Sequence, residues 1–299
     1  MRRATEITLS VQGLTLRAKH WPGATANAPR LLALHGWLDN AASFVPLAAH
    51  LADWDLVAVD LPGHGLSAHR SSDATYHFVD WVGTIVAVLD SLGWARAVLM
   101  GHSMGAGAAA LVAGTLPTRV AGLVLLDALA PYTAVEAAMP ERLAAYLQEV
   151  QLRPHRPLRP YANLAAASRA LCRVVAHLSE ANAALLVERN TRPLDDGQGV
   201  GWRSDPRLRG TSALTLTEPQ LHAFLRRIVC PSVFIQAPDG LAWEPHALQR
   251  NAACFAQLTT VTIAGGHHVH MQRAADVAAA IRPCLTACEA AARPGAAAT

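Results

Sequence analysis

Four short apolar runs in the first part of the chain each stop at turn-forming residues, and this pattern narrows the fold more than any other feature. Leu31 to Leu34 ends at His35-Gly36, and Leu56 to Val59 ends at Asp60 followed by Leu61-Pro62-Gly63. Ala97 to Met100 ends at Gly101, and Leu123 to Leu126 ends at Asp127. Runs this short and this uniformly apolar present no polar face, so as strands they must be covered on both sides. The stretches between them read as helices. From Tyr76 to Leu92 apolar positions recur at helical spacing until Gly93, and Met104 to Leu116 is rich in Gly and Ala until Pro117. The alternation predicts an α/β chain with a mostly parallel sheet and helices on both faces. Residues 6 to 21 alternate about Gly13 and predict an opening hairpin.

The pattern breaks after Asp127. Residues 131 to about 228 hold amphipathic helical pieces, an Arg/Pro-rich stretch from Arg153 to Pro160 and a Gly-rich break from Asp195 to Gly201, with no convincing strand. This predicts a helical insertion between two halves of one core, residues 1–130 and 229–285. Strand-like runs resume at Ser232 to Ala237 and Thr260 to Ala264, and Val277 to Ile281 falls in a closing helix. Residues 286–299 are expected to be a disordered tail, most clearly the Ala/Gly/Pro-rich end from Ala290 to Thr299.

Composition excludes several classes. Hydrophobic residues make up 52% of the chain and charged residues 16%, ample for a large core and far from the signature of disorder. The net charge of +3 is carried by scattered arginines, Lys19 being the sole lysine, so no nucleic-acid footprint is expected. Cys172, Cys230, Cys254, Cys284 and Cys288 show no metal-ligand pairing and read as free thiols of a reducing compartment. The start lacks an apolar signal segment, and no window approaches a membrane span. A cytoplasmic location, with no membrane or nucleic-acid partner, is the expectation. None of the 14 histidines falls in an HExxH or comparable spacing, so no metal site and no cofactor are expected.

The chemistry-bearing feature is Gly101-His102-Ser103-Met104-Gly105, set between an apolar strand and a small-residue helix. A G-x-S-x-G in that setting is a nucleophile elbow, in which a tight turn lifts the Ser hydroxyl above the sheet. A hydroxyl needs a base, and Gly265-Gly266-His267-His268-Val269-His270 follows the last predicted strand. His267, in the loop itself, is the candidate. His268 and His270 fall at the start of the next helix and are expected to be pocket-wall or surface residues. Asp127 and Asp239 both lie between Ser103 and His267, so chain order leaves the orienting acid open between them. An oxyanion would be met by the backbone N–H groups of Met104 and of Trp37, the latter in the loop after His35-Gly36.

These motifs resemble the α/β-hydrolase superfamily and, within it, the serine hydrolase-like proteins. His35-Gly36-Trp37-Leu38-Asp39-Asn40-Ala41 is similar to their oxyanion loop, and Asp60-Leu61-Pro62-Gly63-His64-Gly65-Leu66-Ser67 to their D-x-P-G-x-G-x-S turn. Within the insertion, His155-Arg156-Pro157, Trp202 to Leu208 and Leu216 to Gln220 resemble that branch. The resemblance covers about residues 6 to 285 and implies a helical cap and cofactor-free hydrolysis. Most members place the acid in a G-x-x-D motif after the strand that follows the cap. Here that position is Gly240, with Asp239 one place early. Certain haloalkane dehalogenases carry the acid at the end of the strand before the cap, which corresponds to Asp127, and the resemblance therefore favours Asp127. It implies hydrolysis of a small-molecule ester through an acyl-enzyme on Ser103. A carbon–carbon bond hydrolase with the same serine site and a non-catalytic ligand-binding protein are the alternatives. Trp202, Leu147, Leu152 and Phe224 are apolar candidates for the pocket lining of the cap, though such residues are more often core than pocket.

Overall fold

A computed structural model describes residues 3–152, 159–195 and 197–292. The chain opens with an antiparallel hairpin, β1 (Thr5–Val11) and β2 (Leu14–Trp21). Its two-residue turn needs φ > 0 at both positions, and Gln12 and Gly13 supply φ 52° and 77°. Then follow β3 (Arg30–Leu34), α1 (Val45–Ala48), β4 (Asp55–Val59), α2 (Asp80–Ser91), β5 (Ala97–His102), α3 (Met104–Thr115) and β6 (Val120–Leu126). The second half holds α4 (Met139–Leu152), α5 (Leu164–Val174), α6 (Glu180–Asn190), β7 (Thr191–Pro193), β8 (Val200–Trp202) and α7 (Glu218–Leu225). It closes with β9 (Ser232–Gln236), α8 (Pro245–Ala252), β10 (Leu258–Thr262), α9 (Val269–Gln272) and α10 (Ala274–Ala292).

Eight strands form one sheet in the order β1-β2-β4-β3-β5-β6-β9-β10, parallel from β4 onward. The period-2 geometry of a strand sends neighbours to opposite faces. Leu32, Leu34, Leu99, Leu123 and Leu125 therefore pack with α2, α3 and α7 on one face. Leu31, Ala33, Met100, Val124 and Leu126 pack with α1, α9 and α10 on the other. This double coverage is why β5 and β6 are buried throughout and read as unbroken apolar runs.

Some boundaries differ from the sequence reading. The helix expected from Tyr76 begins at Asp80, whose carboxylate accepts from His77 N–H at 3.0 Å, while Tyr76 and Phe78 pack against the core from the preceding loop. The inserted region is not strand-free: β7 and β8 pair antiparallel. Three-residue strands containing Pro193 and Gly201 carry too little alternation to stand out. α10 runs to Ala292, past the end expected at residue 285. His155, Arg156, Pro157 and residues 293–299 lie outside the described residues.

The region between β6 and β9 is locked to the sheet by buried charge. Arg189, at the end of α6, donates from Nε to both Asp60 oxygens at 3.0 and 2.9 Å and from its terminal nitrogens to Glu6 at 2.7 and 3.0 Å. Asp60 is fully buried and also accepts from Ala41 N–H and Leu66 N–H, both at 2.8 Å. Burial alone would raise the Glu6 carboxyl, but hydrogen bonds from Arg189 and Lys19 hold it below its ordinary value.

Candidate active site

Ser103 stands between β5 and α3 with φ 52° and ψ −116°, outside the ordinary regions for a residue with a side chain. Close packing imposes the turn. A Cβ on Gly101 would lie 2.3 Å from Ala106 N, and one on Gly105 would lie 2.1 Å from Leu34 O, so neither position admits another residue. Ser103 N–H bonds to Leu126 O at 3.1 Å, and Ala106 and Gly107 donate to Ser103 O. Met104 begins α3, so its N–H has no intrahelical acceptor.

Asp127 follows β6 directly, next to that elbow, and is itself left-handed with φ 52°. It is buried. Its Oδ1 accepts from Ala237 N–H at 3.0 Å, and its Oδ2 accepts from Leu241 N–H at 2.9 Å. His267 Nδ1 lies 2.7 Å from the same Oδ2. A carboxylate held by backbone donors is an acceptor, so Nδ1 carries the ring proton and Nε2 is left as the free base.

Asp239 is elsewhere. Its side chain is 62% exposed and lies 3.4 Å from His177 Nε2. Its backbone N–H donates to Gly265 O at 3.2 Å, which fastens the loop leading to His267. Gly240 explains the arrangement: a Cβ there would sit 2.1 Å from Asp127 Oδ2, so the Asp127 carboxylate occupies that space.

The Trp37 loop comes close to the same place. A Cβ on Gly36 would lie 3.3 Å from Ser103 Cβ. The turn Gly36–Asp39 closes with Asp39 N–H on Gly36 O at 3.1 Å and has Leu38 at φ 60°. Inserted residues hold it from outside: Trp37 Nε1–H donates to Leu208 O at 2.8 Å, and Asn190 donates to Leu38 O at 2.9 Å. His35 fixes it from inside. Its Nε2 accepts from Leu61 N–H at 3.0 Å, so Nδ1 is the protonated nitrogen and donates to Gly36 O at 2.7 Å.

The family model of the alpha/beta hydrolase fold matches residues 29–274. The chain belongs to the α/β-hydrolase family. This hydrolase is 31% identical to a serine hydrolase-like protein of Danio rerio, over 94% of its own length and 88% of that chain. A crystal structure of a hypothetical protein from Pseudomonas aeruginosa PAO1 superposes with TM-score 0.86 at 36% identity, covering 96% of the hydrolase and 99% of that chain. A thioesterase domain from the curacin biosynthetic pathway superposes with TM-score 0.80 at 28% identity, over 94% and 99% of the two chains.

Of the sequence reading of His268 and His270 as pocket-wall or surface residues, the surface alternative is overturned. In this hydrolase both are buried beside His102 and Asp39. Burial, then the neighbouring His267, pushes His102 down to about 4. Burial, then His102, likewise pushes His270 well below the usual imidazole range. Burial would raise the Asp39 carboxyl, but the neighbouring His268 holds it below its ordinary value. No spacing rule could have found this group, because its members come from three segments of the α/β-hydrolase core.

The apolar cap candidates divide. Phe224 packs partly buried against the core, Trp202 stands edge-on to Tyr161, and Leu147 is 47% exposed on α4. The Leu152 side chain lies outside the described residues.

Proposed function

We propose that this chain is a cofactor-free serine hydrolase of carboxylic esters, working through an acyl-enzyme on Ser103 beneath a helical cap formed by residues 131–228. The observation that carries the reading is the 2.7 Å pairing of His267 Nδ1 with buried Asp127, beside the left-handed elbow of Ser103. His267 Nε2 takes the Ser103 proton as Oγ attacks the substrate carbonyl, and Asp127 stabilises the imidazolium that results. The N–H groups of Trp37 and Met104 receive the oxyanion. Collapse of the tetrahedral intermediate expels the alcohol, which takes its proton from His267. Water, deprotonated by the same nitrogen, then releases the acid and restores Ser103. The thioesterase domain among its structural neighbours supports including thioesters in the first substrate screen. A carbon–carbon bond hydrolase would share the serine site and is separated from an esterase by turnover of a dienoic diketone with little turnover of esters.

Intact-mass analysis after treatment with a fluorophosphonate tests the reading. One adduct on the wild type, absent in Ser103→Ala, is the expected result. A folded wild type that stays unlabelled and hydrolyses no ester across a chain-length series would instead favour a non-catalytic ligand-binding protein.

A further inference from the structure

Three segments that meet at the site each direct one buried polar side chain to a common point. Asp39 comes from the turn after β3, His102 from the end of β5 and His268 from the loop before α9, and they are 5%, 1% and 7% exposed. Asp39 Oδ2 lies 3.2 Å from His268 Nε2 and 3.6 Å from His102 Nδ1. One ligand atom from each residue falls within 4.8 Å of the other two.

The tautomer of His102 gives this grouping a chemical direction. Its Nε2 lies 2.8 Å from the carbonyl oxygen of His267, which can only accept, so Nε2 carries the ring proton. The neutral ring then presents the Nδ1 lone pair to a carboxylate oxygen at 3.6 Å, too far for a hydrogen bond and with no proton to share. That Nδ1 has no hydrogen-bond partner among the described residues, nor has either ring nitrogen of His270, whose centroid is 4.4 Å from that of His102. Buried imidazole nitrogens without partners are costly, and here they cluster around one carboxylate. An imidazole whose second nitrogen donates to a backbone carbonyl is also the usual arrangement of a metal-ligating histidine.

We propose that Asp39, His102 and His268 bind one divalent cation of zinc's class, through Asp39 Oδ2, His102 Nδ1 and His268 Nε2. Zinc–nitrogen and zinc–oxygen bonds of about 2.0–2.2 Å set the ligand atoms roughly 3.4 Å apart on a tetrahedron. The two edges that meet at Asp39, 3.2 and 3.6 Å, bracket that spacing, and the third, between the two histidine nitrogens, lies within 4.8 Å and would shorten on binding the ion. Two neutral imidazoles and one carboxylate form a donor set that suits zinc, and three protein ligands leave the fourth tetrahedral position for water or for His270. The ion would join the loop carrying Trp37, the elbow carrying Ser103 and the loop carrying His267, independently of which substrate the site accepts.

The test is equilibrium dialysis of the chelator-stripped full chain against zinc at neutral pH, followed by elemental analysis. The expected result is close to one zinc per chain, bound at least tenfold more weakly by Asp39→Asn and by His268→Gln. The exposed control His177→Gln should leave binding unchanged. Cobalt(II) provides a readout on the wild type alone, needed if either variant fails to fold. Nitrogen and oxygen ligation gives visible d–d bands without the near-ultraviolet charge-transfer band of a thiolate, which separates this site from Cys284 and Cys288. A folded wild type that takes up no stoichiometric zinc would overturn the proposal. So would zinc retained by both folded variants, or a cobalt spectrum carrying the thiolate band.

Discussion

Replacing Asp127 by asparagine turns one carboxylate oxygen into an NH2 group at a residue whose two oxygens face three donors. Oδ1 accepts from Ala237 N–H, and Oδ2 accepts from both Leu241 N–H and His267 Nδ1–H. If the amide nitrogen takes the Oδ1 position, it meets Ala237 N–H head-on and leaves a buried donor unpaired, at about 1–3 kcal/mol of stability. If it takes the Oδ2 position, it meets Leu241 N–H and forces His267 Nδ1 to become an acceptor. The ring proton then moves to Nε2, and the base is lost. Either way the negative charge that stabilises the imidazolium is gone. The same substitution in a Ser-His-Asp protease lowers kcat about 10⁴-fold, on the order of 5 kcal/mol of transition-state stabilisation. We expect Asp127→Asn to lower kcat on p-nitrophenyl esters by 10³–10⁴-fold, on the scale of that loss, with little change in KM. Asp239→Asn, on a side chain 62% exposed, should stay within about threefold of wild type. Steady-state kinetics with matched urea-unfolding curves measure both. An Asp127→Asn enzyme within tenfold of wild type, or a larger loss from Asp239→Asn, would refute the assignment of the acid.

Gly240→Ala should lower activity at least tenfold while the protein stays folded, because its Cβ would fall 2.1 Å from Asp127 Oδ2 and displace it from His267. Unchanged fluorophosphonate labelling rates would contradict this. Arg189→Ala leaves Asp60 buried without its counter-charge and should cost about 3–5 kcal/mol, read as a drop in the urea midpoint. Burial, then the neighbouring His35, pushes His64 down to about 3, and burial lowers His35 as well. Below about pH 6.5 the unfolded chain takes up protons that these folded imidazoles refuse, so their stabilisation is complete above that pH and declines from there towards pH 3. His64 alone should remove on the order of 2 kcal/mol between pH 7 and pH 5, with His35 adding in the same direction. A urea midpoint that stays flat over that interval would count against both.

The parts of this molecule legible in its sequence are those set by local pattern. β3, β5 and β6 announce themselves because both faces are buried, and Ser103 does so because its turn needs Gly101 and Gly105 at fixed offsets. Asp127 and Asp239 are equivalent in chain order. What separates them is volume at Gly240, which only the folded chain expresses. β7 and β8 are too short for periodicity to register. The Asp39, His102 and His268 group draws on residues up to 229 positions apart, and each looks ordinary in its own neighbourhood.

Arg189 stands 129 positions after Asp60 and 183 after Glu6, which sets an order for making the protein. At translation rates of about 5–20 residues per second, roughly 6–26 s pass between the emergence of Asp60 and that of the guanidinium that neutralises it. Through that interval the opening strands carry a carboxylate that is costly to bury. The carboxylate of Asp60 can therefore be buried with its counter-charge only after α6 has been made.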